Sequence, residues 1–90
     1  MDQAWGYAQN IIDGDTFVML VTSVRRGNAY PLREVERVRL RDVYAPELHE
    51  RGGRAARERL CRRLAGRRIQ ITVHARDVYG RALATISTRT

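Results

Sequence analysis

Acids and arginines recur in three short segments of this sequence, in an order that suits the hydrolysis of a phosphate diester. The segments are Asp13-Gly14-Asp15-Thr16, residues Arg39 to Glu47, and Asp77-Val78-Tyr79-Gly80-Arg81. Such hydrolysis needs a hard cation held by carboxylates, a base that deprotonates water, and guanidinium groups that hold a pentacoordinate phosphorus. Groups of all three kinds are present, so these segments hold the candidate functional residues.

Five predicted strands position these segments. Apolar and β-branched runs with alternating polarity, separated by turn signals, predict strands at residues 7–12, 16–22, 37–41, 69–73 and 82–86. In the third strand Val38 and Leu40 face the core, and the arginines, Arg39 among them, project from the opposite face. Val35 has the opposite parity, so it either points outward or precedes a bulge.

One helix is predicted between the third and fourth strands, over residues 54–65. Its apolar positions recur at helical spacing and are Ala56, Leu60, Cys61 and Leu64. Gly66 ends it. The arginine-rich opposite face is predicted to be solvated, with phosphate tracking as the alternative. Five short strands with the helix in this place predict a mainly β fold: a five-stranded OB-fold barrel that forms a single domain, residues 1–90.

The charge of the chain indicates which kind of partner it binds. Seventeen basic residues against ten acidic ones give a net charge of +7, and all seventeen are arginine. Such an excess attracts polyanions.

The single Cys61 excludes an internal disulfide, and its helical position predicts a buried structural thiol. His49 and His74 are isolated and are predicted to be ordinary surface or strand residues. No apolar run approaches membrane-spanning length and the first residues lack an export pattern, which predicts a soluble domain without a membrane partner.

The three segments resemble the motifs of the staphylococcal nuclease family. The resemblance is carried by Asp13-Gly14-Asp15-Thr16, by Arg39 followed eight residues later by Glu47, and by Asp77-x-Tyr79-Gly80-Arg81. They occur in the family's order around the predicted elements, and the match runs from about Ile12 to Ile86. The resemblance implies the family's nuclease-like barrel, whereas catalytic activity does not follow from a fold alone.

The resemblance also implies a calcium-dependent nuclease that hydrolyses DNA or RNA. It places Asp15 at a metal-binding position, with Asp13 as its outer neighbour. Ala45 matches a position whose backbone carbonyl is a metal ligand. Glu47 matches the residue that acts as general base for the attacking water.

Phosphate and nucleotide contacts follow from the same resemblance. Arg39 and Arg81 match two arginines that hold the scissile phosphate and stabilise its developing charge. Tyr79 matches an aromatic residue near the bound nucleotide, where a ring stacks or hydrogen-bonds.

Each segment taken alone also has a structural explanation. Asp13-Gly14 is typical of a hairpin turn in which Asp15 satisfies turn amides. Glu47 and Arg81 are also compatible with exposed loop positions. Turn chemistry does not explain why these acids recur with Arg39 at the family's spacing, so the functional interpretation is favoured.

Tyr44 departs from the family pattern. It stands where the resemblance implies a second metal-binding aspartate, three residues before Glu47. A phenol, with an ordinary pKa of about 10, is neutral at physiological pH and is a poor ligand for a hard dication. Asp42 would substitute for it only through a bend or bulge, which is not favoured. Calcium binding is therefore predicted to be weakened.

The length is a second departure. The family's domain continues past the barrel with two more helices, and the segment after the fifth predicted strand, residues 87–90, is too short to replace them. Two explanations stay open, a portion of a longer protein and a minimal barrel.

Three classes of function follow from these observations. The leading hypothesis is a calcium-dependent phosphodiesterase that acts on DNA or RNA, preferentially single-stranded. The alternative is a catalytically inactive barrel that binds single-stranded nucleic acid with strong salt dependence. A third is a protein-interaction barrel without affinity for nucleic acid.

Overall fold

The structure is a computed structural model that describes residues 2–29 and 31–88. Its elements, in chain order, are β1 (Asp2–Asp13), β2 (Thr16–Val24), β3 (Val35–Leu40), α1 (Gly53–Leu64), β4 (Ile69–Arg76) and β5 (Ala82–Thr88). The predicted mainly β fold, with one helix between the third and fourth strands, is confirmed. Of the predicted short tail, Arg89 and Thr90 lie outside the described residues.

The five strands form a closed barrel in the order β1-β2-β3-β5-β4. The β3–β5 pair is parallel and the other pairs are antiparallel. β1 closes the barrel because it pairs with β2 on one side and, through residues 2–6, with β4 on the other. It begins five residues before the predicted start at Tyr7. Pairing on both sides, which the local pattern does not reveal, defines this part of the strand.

The barrel interior is filled by apolar side chains from the strands and from one face of α1. The largest fully buried ones are Phe17, Met19, Val38, Leu40, Leu64, Ile69 and Ile71. Val38 and Leu40 therefore face the core as predicted, and Val35 points outward. Burial of this kind stabilises a small domain by roughly 25 cal/mol per Å² of apolar surface.

Helix α1 packs on the barrel through Gly53, Ala56, Leu60 and Leu64. Cys61 is half-buried, so its predicted burial was wrong; it lies at the edge of the apolar stripe, where the helix surface turns toward solvent. Arg57 lies on the flank of the helix and donates a hydrogen bond from Nε to the Ile11 carbonyl at 2.8 Å, which ties α1 to β1. No helix in the two described ranges is long and apolar enough to span a membrane.

A buried ion pair links β3 to the end of β4. Glu36 is only 3% exposed, and both of its oxygens accept hydrogen bonds from the Arg76 guanidinium at 2.8 Å. The backbone N–H of Arg33 donates to the same carboxylate. Burial raises the pKa of Glu36, but the hydrogen bonds and charges of Arg76 and Arg33 outweigh burial, so this pKa lies below its usual value of 4.5. The ionised form of Glu36 therefore stabilises the barrel.

We expect Glu36→Gln to lower the free energy of unfolding by about 2 kcal/mol at pH 7, because it leaves Arg76 without its carboxylate partner. An acid with a lowered folded-state pKa contributes stability above its unfolded value, and this contribution is lost as pH falls through the folded value. The difference between wild type and variant is therefore expected to shrink below about pH 4.5. Urea unfolding between pH 3 and 7 measures it.

The matched control for this prediction is Glu34→Gln, which removes the same charge from an exposed position. It is expected to change stability by less than about 0.5 kcal/mol. A difference between wild type and Glu36→Gln that stays constant across this pH range would contradict a stabilising role for the ionised carboxylate.

Candidate active site

The turn from β1 to β2 carries the first pair of candidate acids. The Asp15 backbone N–H donates to Asp13 Oδ1 at 3.1 Å, and the Thr16 hydroxyl donates to Asp15 Oδ1 at 3.0 Å. The Asp15 carbonyl accepts from the backbone N–H of Leu40 at 2.7 Å, which anchors the turn to β3. Asp15 is 7% exposed, so its carboxylate is held in a largely buried position.

Arg39 and Ala45 meet at this carboxylate. Arg39 Nη2 lies 3.5 Å from Asp15 Oδ2, and the Ala45 backbone N–H donates to the same oxygen at 3.4 Å. Arg39 also donates hydrogen bonds from Nη1 to the carbonyls of Leu40 and Val43. The pairing of Thr16 with Arg39 across β2 and β3 explains this proximity. The predicted site residues Asp15, Arg39 and Ala45 are thus neighbours.

Asp13 is close enough to Asp15 for the two carboxylates to influence each other. Burial raises the pKa of Asp13, and the neighbouring side chain of Asp15 raises it further, against its usual value of 3.8. The Asp13 carboxyl therefore holds its proton more readily than a solvated aspartate does, and a bound cation would offset that effect.

The Tyr44 side chain extends into solvent. It is 99% exposed, and the centre of its ring lies 6.0 Å from Arg39 Cζ. Asp42, the alternative carboxylate, is exposed and lines a neighbouring shallow cleft with Arg41 and Thr85. Tyr44 therefore supplies a ring, and not a metal ligand, at the rim of the site.

Arg81 is held by its own acid in the loop between β4 and β5. Asp77 Oδ2 accepts a hydrogen bond from Arg81 Nε at 2.6 Å, and Asp77 Oδ1 accepts from the backbone N–H groups of Arg81 and Tyr79. Burial raises the pKa of Asp77, but these hydrogen bonds and the charge of Arg81 outweigh it, so this pKa lies below the usual 3.8. Tyr79 is 80% exposed, with its ring 5.4 Å from Arg81 Cζ.

Glu47 lies in the exposed loop that leads into α1. Its side chain is 69% exposed, and its Oε2 is 3.6 Å from His49 Nε2. The Glu47 backbone N–H donates to Glu50 Oε1 at 2.8 Å, which shapes the loop. His49 is a surface residue as predicted, and His74 lies on β4 with its Nε2 3.1 Å from the Thr85 hydroxyl.

The predicted site residues therefore form three groups. The first is Asp13, Asp15, Arg39 and Ala45; the second is Tyr79 and Arg81 with Asp77; the third is Glu47 with His49. Leu83 pairs with Arg39 across β3 and β5, so Arg81, two residues before it, is brought to the same strand pair as the first group. Among the described residues, Glu47 forms no hydrogen bond or ion pair with either of the other two groups. Its distance from them depends on the conformation of its loop.

Comparisons with known proteins identify the family of this chain. The sequence profile of the family described as Staphylococcal nuclease homologue matches residues 37–90. The chain belongs to the staphylococcal nuclease family. It is also similar to a micrococcal nuclease from Shigella flexneri, with 36% identity over 81 residues. That match covers 90% of this chain and 41% of the relative, so the chain spans less than half of the relative's length.

Membership of this family raises the question of whether the residues present fit calcium. Across the part of the chain that the structure describes, no three side chains of His, Cys, Asp or Glu are grouped so as to hold a metal ion. Calcium takes six to eight oxygen ligands. Asp13 and Asp15 offer carboxylates, but Asp15 is shared with Arg39. The two carboxylates of this turn therefore supply only part of the oxygen ligands that calcium requires.

Two glycines that the sequence analysis did not assign to the site allow its loops to lie close to each other and to α1. A Cβ on Gly14 would lie 2.7 Å from the Cβ atoms of both Ala45 and Ala56, and a Cβ on Gly53 would collide with the Glu47 carbonyl oxygen. Gly14 thus lets the acidic turn approach the Ala45 loop and α1, and Gly53 lets α1 begin directly against the Glu47 loop. The Gly52-Gly53 pair was a signal for the second approach, whereas Gly14 was assigned to the turn alone.

We expect Asp77→Ala to release Arg81, because the variant removes the acceptor of one side-chain and two backbone hydrogen bonds. The free energy of unfolding is expected to fall by about 1–2 kcal/mol. The Nε–H resonance of Arg81 is expected to move toward that of a solvated arginine, which heteronuclear NMR measures.

Asp42→Ala provides the control for Asp77→Ala, since it removes an exposed aspartate from a different loop. It is expected to leave both the stability and the Arg81 resonance unchanged. If the Arg81 resonance keeps its wild-type position in Asp77→Ala, the proposed orienting role of Asp77 is wrong.

Proposed function

We propose that this domain is a nuclease-type phosphodiesterase that hydrolyses DNA or RNA with calcium, which it binds weakly. The observation that carries the proposal is the group formed by Asp15, Arg39 and Ala45, which joins a buried carboxylate, a guanidinium and a loop backbone at one point of the barrel. Family membership supports phosphodiester chemistry at this point. The net charge of +7 supports a polyanionic substrate.

Asp15, Asp13 and the Ala45 carbonyl are the groups that we assign to calcium. Bound there, calcium would supply a Lewis acid that polarises a phosphoryl oxygen and lowers the pKa of water. Asp15 also restrains Arg39, so one carboxylate both serves the cation and sets the direction of a phosphate-binding guanidinium. Tyr44 leaves the site one negative charge short of the family pattern, which weakens the binding of the ion.

Arg39 and Arg81 would hold the phosphate from two sides. Each is oriented by an acid, Arg39 by Asp15 at 3.5 Å and Arg81 by Asp77 at 2.6 Å. Pre-oriented donors stabilise the charge that develops on phosphorus because they need little reorganisation in the transition state. Tyr79, beside Arg81, is exposed and would contact a neighbouring nucleotide.

Glu47 is the group that we assign to deprotonation of the attacking water. Its carboxylate is exposed and contacts only the imidazole of His49 among the ion pairs of the described residues, so it is free to accept a proton from a water near the phosphate. Its backbone is fixed by Glu50 and by the close approach of Gly53. General-base catalysis of this kind typically contributes about 10²–10⁴ in rate.

A catalytically inactive module that binds single-stranded nucleic acid is the second candidate. Tyr44 favours it, because the exposed ring replaces a carboxylate where the family pattern has a metal ligand. The arginines and the barrel surface would then serve binding alone, and neither calcium affinity nor cleavage would be present.

We expect Tyr44→Asp to bind calcium at least about tenfold more tightly than wild type, because it restores a negatively charged oxygen ligand. A calcium titration followed by the amide resonances of Asp15 and Ala45 measures this. Val78→Asp is the control, since it adds the same charge at a position that is 94% exposed in another loop. Equal calcium affinities of Tyr44→Asp and Val78→Asp would contradict the metal assignment.

The catalytic assignment is tested by cleavage of a fluorogenic single-stranded oligonucleotide in calcium. We expect slow cleavage by wild type, faster cleavage by Tyr44→Asp at low calcium, and about hundredfold slower cleavage when Glu47→Gln is added to Tyr44→Asp. Glu34→Gln in the same background is the control and should cleave normally. If neither wild type nor Tyr44→Asp cleaves DNA or RNA, the nuclease proposal fails and the binding module replaces it.

A further inference from the structure

A shallow cleft adjoins the candidate active site on the side of α1. Its volume is about 200 Å³, and its lining includes Gly14, Ala45, Tyr44, Arg59 and Arg63. Gly14 and Ala45 are the direct neighbours of Asp15 in the turn and in the loop. The cleft is therefore continuous with the proposed phosphodiester site.

The Tyr44 ring is placed at this cleft with almost no burial. At 99% exposure it gains nothing from packing against the barrel, although an aromatic ring of its size usually contributes to stability by burial. The Arg39 guanidinium lies 6.0 Å from the ring centre and links the ring to the site. An exposed ring beside a guanidinium is the arrangement on which a nucleobase stacks.

Two arginines of α1 complete the lining of the cleft. Arg59 and Arg63 are four residues apart, so they lie on the same side of the helix about one turn from each other. Both are exposed, and neither forms an ion pair with an acid within the described part of the chain. This differs from Arg39, Arg76 and Arg81, each of which is held by a carboxylate. The positive charge at the cleft is thus available to an external anion.

We propose that Tyr44, Arg59 and Arg63 form a binding subsite for single-stranded nucleic acid, in which one unpaired base stacks on the Tyr44 ring and the two arginines contact adjacent phosphates. The subsite rests on the proposed function, because the strand it holds is the one that reaches Asp15 and Arg39. The tyrosine that weakens calcium binding thereby gains a role in substrate binding. A base must be unpaired to stack on the ring, so duplexes are excluded from this contact.

The stacking contact is tested with the full chain in EDTA, so that binding is measured without metal or cleavage. Fluorescence anisotropy of a labelled oligothymidylate, an oligouridylate of equal length and a duplex gives the affinities. We expect Tyr44→Ala to bind either single strand about tenfold more weakly, and Tyr44→Phe to bind like wild type, because stacking needs the ring and not the hydroxyl. An abasic strand should not distinguish Tyr44→Ala from wild type.

The phosphate contacts are tested by the salt dependence of the same affinities. We expect Arg59→Ala and Arg63→Ala each to reduce the slope of log K against log salt by about 0.7, the value for one lost phosphate contact on a single strand. Arg62→Ala is the matched control, since it removes the same charge from the same helix outside the cleft. It should leave the slope unchanged.

Several results would overturn the subsite. The stacking contact is wrong if Tyr44→Ala binds single strands as tightly as wild type, or if wild type binds the duplex as tightly as the single strand. The phosphate contacts are wrong if the Arg59, Arg62 and Arg63 variants have equal salt slopes. The whole subsite is wrong if wild type binds no strand at low salt. A higher affinity for the oligothymidylate or for the oligouridylate indicates whether the subsite favours a DNA or an RNA strand. If wild type binds the single strand through Tyr44 but does not cleave it, the nuclease proposal is wrong and the subsite stands. If the Tyr44→Ala variant cleaves as fast as wild type, the subsite is wrong and the nuclease proposal stands.

Discussion

The Asp15 carboxylate is the group on which the arrangement of the candidate site depends. It is 7% exposed and contacts the Thr16 hydroxyl, the Arg39 guanidinium and the Ala45 backbone. These partners come from β2, β3 and the loop after β3, so one side chain sets the relative positions of three segments. A buried carboxylate needs such partners, because an unpaired charge in this environment is costly. The same partners that stabilise it also bring a guanidinium and a loop backbone together at the point where we propose that a phosphate binds.

Acids control the direction of arginines elsewhere in the domain as well. Asp77 holds Arg81, and Glu36 holds Arg76, which in turn donates a hydrogen bond to the Gly80 carbonyl in the loop that presents Arg81. In a chain with a net charge of +7, carboxylates fix the direction of Arg39, Arg76 and Arg81. Arg59 and Arg63, on the exposed side of α1, take no part in the ion pairs of the described residues and remain available to solvent and to polyanions.

The fold was largely predictable from sequence because the strands alternate and the helix keeps its apolar stripe. Val38 and Leu40 show this alternation, and their burial is confirmed. The first residues of β1 were missed because contacts with β4, far along the chain, define them. The burial of Glu36 was also not predicted, because a charged residue is not expected to face the core. Its ion pair with Arg76, which is distant in sequence, compensates the cost of burying the charge.

The site was predictable to a lesser extent. The proximity of Asp15 and Arg39 follows from the pairing of adjacent strands, which local pattern anticipates. The positions of Glu47 and Tyr44 depend on loop conformation and on the close approach of Gly53, which no short-range pattern specifies. Their assignment to water activation and to the rim of the site therefore remains a prediction about function. The exposure of Arg59 and Arg63 on α1 was predicted from the helical pattern and is confirmed, whereas their position beside Gly14 and Ala45 depends on the packing of the helix.

The double pairing of β1 has a consequence for how the chain reaches its native state. Asp2 pairs with Val73, so one seam of the barrel joins residues separated by most of the polypeptide. Contacts this remote form late, because the entropy of a long loop opposes them until other structure shortens it. During synthesis, the edge of β1 formed by residues 2–6 has no β4 partner until β4 has left the ribosome. An open edge of this kind is the place at which a nascent barrel is most exposed to pairing with another molecule.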